Sequence, residues 1–147
     1  MRAVVLLLLF AALVALLTAC DDPEPSVGLT LNTSNELVIL YSPCNENKLV
    51  RSVELQTPRT TIWHIESDEG SSLREFVVGE EPDGFRTTVP LAVSLEGQRL
   101  LVQISGIGID YFSFSDLKGG QVLVIRRGTM SHEEFWARDT CGRGGLF

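Results

Sequence analysis

The sequence predicts a mostly β domain, an antiparallel β-sandwich or barrel-like fold with one short helix near the C-terminus. Three observations carry that expectation. From Val27 onward, short runs rich in β-branched and aromatic residues are broken by Gly, Pro, Asn and Asp at intervals of about ten residues, the rhythm of strands and turns. Several runs alternate: Leu100, Val102 and Ile104 oppose Leu101, Gln103 and Ser105, and Phe112 and Phe114 oppose Tyr111 and Ser113, as in half-buried antiparallel sheets. The connections Glu96-Gly97-Gln98, Glu81-Pro82-Asp83-Gly84 and Lys118-Gly119-Gly120 carry turn chemistry and are too short for a crossover helix.

The first 19 residues stand apart from that domain. Met1-Arg2 supplies a positive start, and 3–17 run without one polar side chain, which is the pattern of an export signal. The run falls short of the about 20 apolar residues that cross a bilayer. Asp21-Asp22-Pro23-Glu24-Pro25 follows it without a basic stop-transfer flank, so residues 1–19 are expected to be cleaved as a signal peptide. Leu17-Thr18-Ala19-Cys20 resembles the lipobox of bacterial lipoproteins at all four positions. The resemblance implies that the Cys20 thiol is joined to diacylglycerol, that the bond before it is cut, and that the chain is held at the cell membrane on its extracytoplasmic side. Each buried CH₂ contributes roughly 0.8 kcal/mol, so two or three acyl chains anchor where one is marginal. The alternatives are an ordinary secretory signal with an incidental Cys20, or an uncut membrane anchor.

Residues 20–26 then read as the lipidated cysteine and an acidic tether, and 27–147 as a single β domain. Strands are expected at 27–31, 37–42, 49–57, 60–66, 73–78, 85–90, 99–105, 110–114 and 122–127. Ser131 and Glu134 have the spacing of a capping box, so a helical turn should run from there to about Arg138, with Phe135 or Trp136 packed on the sheet. The chain carries a formal charge of −7, which becomes more negative once Arg2 is removed, and this argues against a nucleic-acid partner. Apart from Arg126-Arg127 the basic residues are scattered singly, so the acyl chains are expected to hold the membrane unaided.

With Cys20 committed to lipid, Cys44 and Cys141 remain, and in an oxidising compartment they are expected to form one disulfide. Two free thiols or half a metal site are the alternatives, and His64 and His132 are not spaced to complete such a site. Trp63 between two cysteines invites comparison with the immunoglobulin fold. The tyrosine two residues before the second cysteine of that fold is Asp139 here, so the sandwich is kept and the family dropped. Cys44, a Val-rich strand, Trp63-His64-Ile65 and a Phe-rich stretch before Cys141 together resemble uncharacterised small lipoproteins of actinobacteria, a resemblance that implies no activity.

Little in the sequence points to catalysis. There is no Gly-x-Ser-x-Gly elbow. His64 is expected on a strand face shared with Ile62 and Glu66, and His132 in the first turn of the helix. Gly106-Ile107-Gly108-Ile109-Asp110 reads as a bend between strands. The acids Asp68, Glu69, Glu80, Glu81 and Asp83 fall in expected loops, where they could contact a ligand, but they lack the spacing of a calcium loop. No metal site and no cofactor beyond the covalent diacylglycerol is expected. The favoured function is a non-catalytic binding or interaction module of the cell envelope, whose ligand or protein partner meets loops or an exposed sheet face. The alternatives are a structural or assembly accessory of an envelope complex, or a hydrolase using the loop carboxylates.

Overall fold

Residues 25–137, which the computed structural model describes, form two antiparallel sheets packed face to face. The first comprises β1 (Ser26–Leu31), β2 (Leu37–Ser42), β5 (Glu75–Val77), β10 (Gln121–Val124) and β11 (Gly128–Ser131), in the order β11-β10-β1-β2-β5. The second comprises β3 (Val50–Gln56), β4 (Thr61–Ser71), β6 (Arg86–Val89), β7 (Arg99–Ile104) and β8 (Ile107–Gly108), in the order β6-β4-β3-β7-β8. A further short strand, β9 (Phe112–Ser113), pairs with the start of β7. The expected signal peptide, Cys20 and Cys141 lie outside the described residues.

Alternation sets the faces. Val27, Leu29, Leu37, Ile39 and Tyr41 of the first sheet point into the same buried cluster as Val53, Leu55, Trp63, Ile65, Leu100, Val102 and Ile104 of the second. Trp63 is the largest of the fully buried side chains in this cluster. Fully burying an aliphatic or aromatic side chain is worth about 1.5–3 kcal/mol, so this seam is the main source of cohesion.

The first sheet is buried on its other face as well. Val38, Leu40, Val122, Val124 and Met130 form a second cluster with Phe135, the buried residue of the helix α1 (His132–Ala137). The helix starts as its sequence suggests: the Glu134 amide donates to Ser131 Oγ at 3.0 Å, and the Ser131 amide donates to Glu134 Oε2 at 2.8 Å. Phe135 sits over Gly28, where an added Cβ would lie 2.5 Å from Val122 Cγ1 and 2.9 Å from Phe135 Cε2. The missing side chain of Gly28 is thus the recess that receives the helix.

Several boundaries differ from expectation, each for a local reason. Strand 60–66 continues to Ser71 because a wide bulge absorbs the turn-like Asp68-Glu69-Gly70: Ser52 pairs with Glu66, but Val50 pairs with Ser71. Asp68 and Glu69 therefore lie on the bulged end of β4 and not in a loop. A second bulge, between Leu55 and Gln56 in the β3–β4 register, turns Ile62 into the core beside Trp63, so His64 does not share its face with Ile62. Strand 110–114 shrinks to Phe112–Ser113, and a 3₁₀ turn follows at Phe114–Asp116. Strand 122–127 stops at Val124 because Ile125-Arg126-Arg127 form the loop to β11, a strand with no strong sequence signal. The Gly106 bend is a two-residue hairpin in which Ser105 and Gly106 both have positive φ (49° and 82°), the geometry that joins twisted strands directly.

Candidate functional site

The acids singled out in the sequence converge on one edge of the second sheet, around β6. Arg86 opens that strand opposite Glu66 and binds its carboxylate at 2.6 Å, with Asp68 3.6 Å away. The hydrogen bond to Glu66, and then the charges of Asp68 and Glu66, push the Arg86 guanidinium further up. On the turn leading into β6, Glu81 Oε2 accepts the Thr87 backbone amide at 2.6 Å. Bonding to Thr87 holds the Glu81 carboxyl below its usual range. The edge position of β6 explains this contact, since an edge strand leaves donors open to any other chain and the Glu81 carboxylate covers one of them. Glu80 and Asp83 of the same turn are exposed.

Two acidic segments that are separate in sequence are therefore neighbours in space. Their carboxylates do unequal work. Glu81 covers the sheet edge and Asp68 lies beside Arg86, whereas Glu69, Glu80 and Asp83 face solvent. Among the described residues, no three His, Cys, Asp or Glu side chains are grouped to hold a metal ion.

Sequence reasoning placed His64 and Glu66 on one strand face but missed the cross-strand partners that extend that polar face of the second sheet into this corner. His64 stands opposite Glu54 on β3 and beside Val89 on β6. Its Nδ1 lies 2.5 Å from Thr88 Oγ1. Thr61 Oγ1 donates to Glu54 Oε1 one pair further along. With Glu66–Arg86, three cross-strand pairs tile this face of the sheet. The signal for it is the polar half of the alternation in β3 and β4, but the pairing depends on the register, which the bulges set.

Clefts open elsewhere among the described residues. One of about 400 Å³ lies where β1 begins, lined by Pro25, Val27, Gly108, Asp110, Arg126 and Arg127. There Arg126 donates from Nε and Nη2 to Asp110 Oδ2, each at 2.5 Å. A second, about 540 Å³, lies beside the helix between Thr30, Val38, Glu75 and His132. A third, about 300 Å³, is lined by Leu37, Leu91, Val93, Leu95 and Phe114. Asp68, Glu69, Glu80, Glu81 and Asp83 line none of these three.

Of the expected disulfide, Cys44 is described. It lies half-buried after β2 and is a partnered residue, whereas Cys141 falls outside the described residues. His132 begins α1 and its ring meets Trp136 edge-on at 6.2 Å. No described helix is long and apolar enough to cross a membrane. No family model matches the chain, and no curated protein or solved structure shows significant similarity to it.

Proposed function

We propose that the chain is a lipid-anchored lipoprotein of the extracytoplasmic cell envelope, and that its sandwich is a non-catalytic binding module. The anchor rests on Leu17-Thr18-Ala19-Cys20, set between an apolar run and a sandwich whose first strand begins at Ser26. The binding role is supported by how the polar groups are used. Glu66 and Asp68 flank Arg86, Glu81 covers a strand edge and His64 meets Thr88. These contacts tie down the polar face of the second sheet. A rigid β scaffold presents such a surface at low entropic cost, and confinement to a membrane raises the effective concentration of a weakly bound partner.

The recognition surface in this proposal is the polar face of the second sheet with its acidic corner at Glu80–Gly84. The exposed carboxylates there favour cationic ligands or basic protein patches, with affinity falling as salt rises. Thermal-shift titration of the mature protein with cationic peptides, envelope sugars and divalent ions tests it. A salt-sensitive rise in melting temperature, reduced in Glu80→Gln/Asp83→Asn, is expected. Reproducible substrate turnover abolished by either single substitution would replace the binding module with a hydrolase.

A further inference from the structure

The sandwich brings together, at the end where the chain enters, basic residues that the sequence scatters. β1 starts there at Ser26, opposite Ser42 at the end of β2. The 43–49 connection, the bulged tip of β4, residues 72–74 and the 125–127 loop surround that point, because β2, β4 and β10 all end there while β3, β5 and β11 begin. Lys48, Arg51, Arg74, Arg126 and Arg127 all belong to this end. Arg51 donates to the Asp68 carbonyl at 2.6 Å, and Arg74 donates to the carbonyls of Glu46 and Lys48 at 3.0 and 3.3 Å. These contacts fix both guanidinium groups without neutralising them. Arg126 is paired with Asp110, and the other acids of this end are Glu46, Asp68, Glu69 and Glu75. At the opposite end Glu36, Glu96, Asp116 and Glu133 face Arg59, Arg99 and Lys118, so acids are in slight excess there.

Two exposed leucines stand among these cations. Leu49 is 43% exposed and Leu73 is 38% exposed, and the Gly70 backbone lies against Leu49, so the 43–49 connection meets the tip of β4. Apolar side chains ringed by Lys and Arg are what a protein surface presents to the boundary between headgroups and acyl chains. Tether length fits the same partner. Four residues separate Cys20 from Pro25, so the five steps between them reach at most about 18 Å.

We infer that this end of the sandwich is a membrane-docking face, on which Leu49 and Leu73 enter the headgroup region of the anionic bilayer that holds the anchor while Lys48, Arg51, Arg74 and Arg127 meet its phosphates. The inference rests on the lipoprotein proposal. It adds a defined orientation, in which the opposite end stands clear of the lipid and the polar face of the second sheet runs away from it, from Asp68 at the docking end to Thr61.

The test uses the lipidated protein, processed from the full chain, in nanodiscs of phosphatidylcholine and phosphatidylglycerol that carry a nitroxide headgroup lipid. Amide signals of Leu49, Leu73 and Arg74 should broaden at least as strongly as that of Ser26, which any tether keeps near the bilayer, while Asn35 and Gly97 stay sharp. Leu49→Glu/Leu73→Glu should restore the signals at 49, 73 and 74 and leave Ser26 broadened, as should discs without phosphatidylglycerol in part. Loading of the discs with Leu49 and Leu73 broadened no more than Asn35 and Gly97, or with broadening indifferent to the double substitution, would overturn the docking face while leaving the anchor intact. Failure of the wild-type protein to load at all would overturn the anchor and the docking face with it.

Discussion

Replacing Phe135 with alanine should release the C-terminal helix, and the cost can be worked from its surroundings. Phe135 is fully buried, is the buried residue of α1, and packs with Val122 over Gly28. Truncating a buried Phe costs about 3–5 kcal/mol. The six residues of α1 cannot sustain a helix by propensity, because isolated helices below about 12 residues are marginal in water. The ring, not the helix, is therefore what fixes this segment. For a domain of this size each kcal/mol corresponds to about 3–5 °C, so Phe135→Ala should lower the melting temperature by roughly 10 °C or more. Gly28→Ala attacks the same contact from the sheet, placing a methyl 2.5 Å from Val122 and 2.9 Å from the ring, at about 1–3 kcal/mol of overpacking. In the double variant the ring is gone and part of the clash with it, so the two losses should fall short of additivity by about 0.5 kcal/mol or more. Urea and thermal unfolding of the four proteins give these numbers, and hydrogen exchange at Gly28 and Val122 reports whether the sheet face opens. A Phe135→Ala loss below about 1 kcal/mol, or strict additivity, would refute the seating of the helix in the Gly28 recess.

Three further outcomes are expected. Glu81 has a folded-state pKa below its ordinary value through its bonds to Thr87, so its contribution is present at neutral pH and is lost as pH falls through the folded-state value. Glu81→Gln should flatten that acid limb and speed exchange of the Thr87 amide; an unchanged limb would show that the bond is not kept in solution. Burial pushes the Tyr41 phenol above its ordinary value near 10, against the opposing charge of Arg74, so stability present below that value is lost as pH rises through the raised one. Its hydroxyl is buried without a hydrogen-bond partner among the described residues, and Tyr41→Phe should therefore cost little at neutral pH and gain stability in alkali, as read by melting temperature against pH. Cys44 and Cys141 are proposed to be bonded, and closing a loop of about 100 residues is assigned 4–5 kcal/mol in the chain-entropy model. Non-reducing peptide mapping should recover the two as one species, and both thiols free in the exported protein would refute the bond.

The fold was legible where chemistry is local. β2 coincides with its expected bounds, and β7 within one residue, because a run such as Leu100 to Ile104 shows its period directly. The helix start was legible from Ser131 and Glu134 alone, because both halves of a capping box lie within one turn. What failed depended on register. Asp68-Glu69-Gly70 has the composition of a turn, yet β3 continues alongside and the segment bulges instead of leaving the sheet. β11 begins with Gly128 and buries one side chain, Met130, which leaves too little pattern to detect. At the candidate site, the residue types were visible but their meeting was not. Glu66 and Arg86 are 20 residues apart, and the strand pairing that joins them is set by bulges the composition does not reveal. The gathering of cations around Pro25 was hidden in the same way.

The most direct test of the lipoprotein assignment is mass spectrometry of the N-terminal peptide from protein recovered in the membrane fraction. The expected peptide begins at Cys20 and carries a diacylglyceryl group on its thiol, and is absent in Cys20→Ala, which should stay uncleaved or leave the membrane. An N-terminal peptide that retains the Ala19–Cys20 bond, or a Cys20→Ala protein processed and held at the membrane like the wild type, would contradict it.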